Sequence, residues 1–140
     1  MKFSDITEEQ WDELKPYLDT CLLPVTGLGG GETPYEATER LEDLRDFMDM
    51  VEIPFKGRVV TYPACHYIAE GEAFSAMLGD WCGRLKQTGF KYVIVMTAFS
   101  ASDLAIKDAD LILQPGTGGE LPSPNEVSSQ IRELWAAVSP

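Results

Sequence analysis

Gly89-Phe-Lys-Tyr-Val-Ile-Val-Met-Thr97 and Ala109-Asp-Leu-Ile-Leu-Gln-Pro115 decide the fold. Each holds a short, near-continuous apolar run, the pattern of a strand covered on both faces rather than of a surface helix. Between them Ser100, Ser102 and Asp103 make a polar crossover, and after them come the glycines of Gly116-Thr-Gly-Gly-Glu120. The order is strand, crossover, strand, glycine loop. In an open parallel sheet, ligands bind outside the carboxyl ends of the strands, so this order also says where a site would lie.

Outward from that stretch, two more apolar runs read as strands: Cys21-Leu-Leu-Pro-Val25 and Arg58-Val-Val-Thr-Tyr62. Pro24 lacks an N–H, which predicts an edge position or a bulge for the first. Three helix starts are written as capping boxes, Thr7-Glu-Glu-Gln10, Thr33-Pro-Tyr-Glu36 and Ser123-Pro-Asn-Glu126, the last two with Pro at the first helical position. Ile6 and Trp11 are spaced as a hydrophobic staple across the first start. From Thr33, Ala37, Leu41, Leu44, Met48 and Val51 recur at helical spacing, opposite an acidic face that includes Asp43 and Asp46. Later helices are predicted over roughly 72–87, burying Phe74, Met77, Leu78, Trp81, Cys82 and Leu85, and over roughly 124–138, burying Val127, Ile131, Leu134, Trp135 and Val138. Gly79 and Gly83 allow a neighbour to approach the first of these closely.

Helices alternating with buried strands specify a single domain over 1–140, a three-layer α/β fold of the Rossmann-like or flavodoxin-like kind. Its sheet is mainly parallel, with about four strands and helices on both faces. A chain of 140 residues, 44% hydrophobic, is long enough to bury one such core. Net charge is −12, and residues 1–52 carry 14 acidic and 4 basic side chains. That balance disfavours nucleic acid and anionic membranes, because phosphates are bound by Lys and Arg. The acidic helix 34–50 reads either as a solvated, solubilising surface or as a docking face for a basic protein. No run approaches the apolar length of a membrane span, and the first residues turn acidic where a signal peptide would be apolar, so the expected location is the cytoplasm.

The predicted strand ends gather Thr26, Glu32, Thr33, Cys65, His66, Thr97, Ser100, Ser102, Asp103, Thr117 and Glu120 along one edge. Cys65 and His66 are the candidate nucleophile pair of a small hydrolase or transferase, although neighbours on a strand point apart. The loop Gly27-Leu-Gly-Gly-Gly-Glu-Thr33 stands where a phosphate cradle would, but lacks the spelling of either common cradle and carries Glu32. One histidine and three unpaired-looking cysteines (Cys21, Cys65, Cys82) signal no metal, cofactor or disulfide framework. The leading expectation is a non-catalytic interaction or regulatory protein. A binding module for a small polar ligand and the Cys65/His66 enzyme are the alternatives.

From Met1-Lys-Phe-Ser-Asp-Ile6 through Tyr62-Pro-Ala-Cys-His-Tyr67, the chain resembles the small YpiF-like proteins of Bacillus and its relatives. That resemblance implies a bacterial cytoplasmic protein with no assigned activity. Gly89-Phe90, Val93 to Thr97, Ser102 to Ala105 and Ala109 to Leu113 are similar to sugar-isomerase-type phosphosugar-binding domains, which implies the layered fold. In Ile68-Ala-Glu-Gly-Glu-Ala73, every hydroxyl of their phosphate turn is replaced. Leu23-Pro-Val25 and Gly89-Phe-Lys91 resemble creatininase-like amidohydrolases, whose metal ligands are replaced here by Gly29, Gly30 and Gly31.

Overall fold

The computed structural model describes residues 1–67, 72–99 and 105–137. In chain order it holds α1 (Glu8–Leu14), β1 (Thr20–Leu28), α2 (Pro34–Glu52), β2 (Val59–Thr61), β3 (Cys65–Tyr67), α3 (Glu72–Thr88), β4 (Tyr92–Thr97), β5 (Leu111–Leu113) and α4 (Pro124–Ala136). All the strands run parallel in the order β2-β1-β4-β5, with β3 also on β1. This is the expected α/β fold, with five strands rather than four.

The extra strand comes from a break rather than a new lane. β2 pairs with Thr20–Leu22 of β1, while β3 pairs with the Val25 and Leu28 end, so both lie along the same side of one long strand. Tyr62-Pro-Ala64 interrupts them. The same break explains why Pro24 is tolerated away from an edge. Leu22 accepts from Tyr62 N–H, so the even-numbered residues of β1 turn their backbone groups toward β2 and β3. The donor missing at Pro24 therefore faces the gap, where no ladder bond is forfeited. The irregularity of β1 falls instead between Val25 and Leu28, around Gly27 at φ +77°.

Alternation along the strands separates two cores. Cys21, Leu23, Val25, Val93 and Val95 face α3, with α1 joining through Trp11 and Leu14. Leu22, Val59, Ile94, Met96 and Leu113 face α2 and α4. Helices therefore cover both faces, as a parallel sheet requires. Gly79 and Gly83 admit the 105–109 segment, since a β-carbon on Gly79 would lie 3.3 Å from Lys107.

The capping boxes mark real starts. Thr7 and Gln10 satisfy each other at α1, Ser123 accepts from Glu126 N–H at α4, and Glu36 accepts from both the N–H and the hydroxyl of Thr33 at α2. The buried face of α2 is rotated from the one expected: Phe47 is fully buried and Leu41 is 42% exposed. Packing against α4 as well as the sheet centres that face on Leu44, Phe47 and Val51. Val138 lies outside the described residues. Among the described residues, no helix is long and apolar enough to cross a membrane.

Candidate functional site

From β1 the chain crosses through α2 to β2 on one side, and from β3 it crosses through α3 to β4 on the other. The winding therefore reverses between β1 and β4, and the crevice beyond their carboxyl ends is where this architecture binds ligands. A cavity of about 390 Å³ opens there, lined by Thr26, Arg40, Asp43, Ala98 and Phe99. Arg40 donates from Nη1 to the Gly27 carbonyl at 3.0 Å. The other side of the crevice is filled: Phe99 lies so close to Gly27 that a β-carbon there would stand 2.3 Å from its ring.

Most of the expected site groups are already engaged. Thr26, nearly fully buried, donates its hydroxyl to the carbonyls of Cys65 and His66 and so ties β1 to β3. Thr97 is fully buried, and its hydroxyl accepts from Phe99 N–H at 3.4 Å. Glu32 turns back into its own loop, accepting from Gly29 N–H at 2.7 Å and Gly30 N–H at 3.0 Å. Those backbone donors, Gly29 foremost, hold its carboxyl below the usual range. The glycine loop thus already cradles an anion, supplied by the chain itself. Glu36 is likewise held low, chiefly by the Thr33 hydroxyl, which makes Thr33 a helix cap.

Thr117 sits exposed in a turn closed by Gly116 N–H on the Glu120 carbonyl, and is not among the residues lining the crevice cavity. Ser100, Ser102 and Asp103 lie outside the described residues, as do residues 68–71 of the phosphate-turn match. Gln114, just past β5, has a buried Oε1 with no hydrogen-bond partner among the described residues.

Cys65 and His66 occupy successive positions of β3, Cys65 packed on the α3 core and His66 exposed. Burial pushes the Cys65 thiol up to about 11. At neutral pH it is a thiol rather than a thiolate, the opposite of what a nucleophile requires. Burial likewise raises Cys82, to about 11, and Cys21. Among the described residues, no three His, Cys, Asp or Glu side chains group to hold a metal ion.

A larger cavity, about 560 Å³, lies between α3 and the β2–β3 break. Its lining includes Cys65 and His66, but also Trp81, Arg84, Leu85 and Thr88, which the sequence reading assigned to no site. The available signal was their spacing along α3 opposite a strand interrupted by Pro63.

The chain belongs to the family described as protein of unknown function (DUF2487), whose model matches residues 9–114. No curated protein and no solved structure matches it.

Proposed function

We propose that this family member is a non-catalytic interaction protein that docks a basic protein partner on the exposed face of α2. The observation that carries the reading is the state of that face. Glu39, Glu42, Asp43, Asp46 and Asp49 are all exposed, and among the described residues only Asp46 has an ion-pair partner, the adjacent Arg45 at 3.2 Å. Glu39–Asp43 and Glu42–Asp46 repel at four-residue spacing, and Glu39–Glu42, Asp43–Asp46 and Asp46–Asp49 at three. Each such pair costs the isolated helix about 0.2–0.5 kcal/mol, a cost that a basic partner would relieve. Tyr35, 68% exposed, and Leu41 add apolar contact area on the same helix. The YpiF-like resemblance supports a bacterial cytoplasmic setting, and the net charge of −12 disfavours nucleic acid.

The test is affinity capture from a Bacillus extract with the parent, with Glu42→Lys/Asp46→Lys, and with Asp12→Lys/Glu13→Lys, which changes net charge equally on α1. Proteins retained by the parent and the α1 variant but lost by the α2 variant are the expected result. Identical capture by all three refutes the docking face.

A second reading, a module for a small polar ligand, is favoured by the place of the Thr26–Arg40–Asp43 cavity at the reversal of winding. It predicts that a small anion raises the melting temperature of the parent and not of Arg40→Gln. Equal shifts in both would remove Arg40 from the argument.

A further inference from the structure

We infer that the cavity under α3 is a binding site for a small amphipathic anion, an apolar body carrying one carboxylate or similar group, with Arg84 as its charge partner.

The cavity has a structural cause. Where Tyr62-Pro-Ala64 leaves the sheet, α3 has no strand surface to cover, and about 560 Å³ stays open between helix and break. Its size falls within the range of pockets that take small organic ligands. Leu23 forms its floor on β1, Tyr62 and Pro63 one wall, and Trp81 and Leu85 the other. Such walls favour an apolar body, with two aromatic side chains to pack against it.

The polar lining is sparse and mostly uncharged. Cys65 is a neutral thiol at physiological pH, Thr88 is neutral, and His66 also lines the cavity, with its side chain exposed. Arg84 is different: it is exposed, it lines the cavity, and among the described residues it forms no ion pair. Among the described residues no carboxylate lines this cavity, in a chain where acids outnumber bases by 23 to 11. A lone guanidinium beside an apolar chamber matches a ligand with one anionic end, because the fork-shaped head can bind a carboxylate through two hydrogen bonds. A wholly polar anion would leave the apolar walls unused, and a neutral hydrocarbon would leave Arg84 unused.

The probe is 8-anilinonaphthalene-1-sulfonate, an aromatic body with one anionic group, titrated into the folded protein and followed by its fluorescence, with decanoate and decanol as competitors. Saturable one-site binding is expected, displaced by decanoate about tenfold more effectively than by decanol. Arg84→Gln changes an exposed residue, so the fold is kept. It should weaken the probe and decanoate about tenfold while leaving decanol unchanged. Ala64→Leu narrows the chamber and should weaken all three. Absence of saturable binding, equal competition by decanoate and decanol, or unchanged decanoate affinity in Arg84→Gln would overturn the assignment.

Discussion

Replacing Gly27 by alanine tests the contact by which Phe99 fills one side of the crevice between β1 and β4. Two costs can be worked from the geometry. Gly27 has φ +77°, and an L-residue held in the left-handed region costs about 1–2 kcal/mol. The added β-carbon would also lie 2.3, 2.6 and 2.9 Å from three atoms of Phe99, none of them the free end of a flexible chain. Forcing that half-buried ring aside is an overpacking cost of about 1–3 kcal/mol. The expected loss is the sum of the two, about 2–5 kcal/mol, or roughly 7–17 °C in melting temperature for a domain of this size. Urea unfolding of the parent, Gly27→Ala, Phe99→Ala and the double variant separates the two parts. In the Phe99→Ala background the substitution should cost only the backbone share, about 1–2 kcal/mol. A loss below about 1 kcal/mol in the parent, or the same loss in both backgrounds, would refute the contact.

Other predictions follow from particular hydrogen bonds and thiols. Asp110 accepts from Val93 N–H at 2.8 Å and from Lys86 at 3.1 Å, so Asp110→Asn should lower stability by about 1–3 kcal/mol, read from the urea midpoint. Arg58 forks onto Asp19 at 2.9 and 3.1 Å while its guanidinium lies 4.0 Å over the Trp135 ring, and Lys cannot reproduce both contacts. Arg58→Lys should cost about 1–2 kcal/mol, and no change would show that the ring stacking is incidental. The Cys65 thiol is raised from 9.0 to about 11, so the folded chain keeps a proton that the unfolded chain sheds. Its contribution is therefore complete below pH 9 and is lost as pH climbs from 9 toward 11. Stability should fall less steeply over that window in Cys65→Ala than in the parent, and parallel curves would count against the shift. Iodoacetamide should label Cys65 at pH 7.5 about a hundredfold more slowly in the folded than in the unfolded chain.

The sheet was legible because buried parallel strands need continuous apolar runs, and Tyr92 to Thr97 could serve no other element here. The helix starts were legible because a cap is a local bargain between residues three apart. β3 was missed for the same physical reason in reverse: three residues with a half-buried Cys, an exposed His and a Tyr carry no period, and only their pairing with the long β1 makes them a strand. Leu41 was expected on the buried face and Phe47 was left out of it because α4, distant in sequence, decides which side of α2 is covered. Pro24 was read as a signal of an edge or a bulge because its missing donor was visible while the gap it faces, made by Pro63, was not.

The site was legible in position and not in chemistry. Topology alone places the ends of β1 and β4 together, but whether a hydroxyl or carboxylate there is free depends on hydrogen bonds made across the fold. Thr26 spends its donor on the backbone of β3, Glu32 fills the amides that a phosphate would need, and Thr33 is a cap. A residue type suited to binding is thus equally suited to satisfying a strand end, because both tasks present the same unpaired backbone groups. The residues with charge left over are Arg84, beside an apolar chamber, and the carboxylates along α2, of which Asp43 lines the crevice. They belong to opposite faces of the sheet, so a substitution at either can be read without disturbing the other.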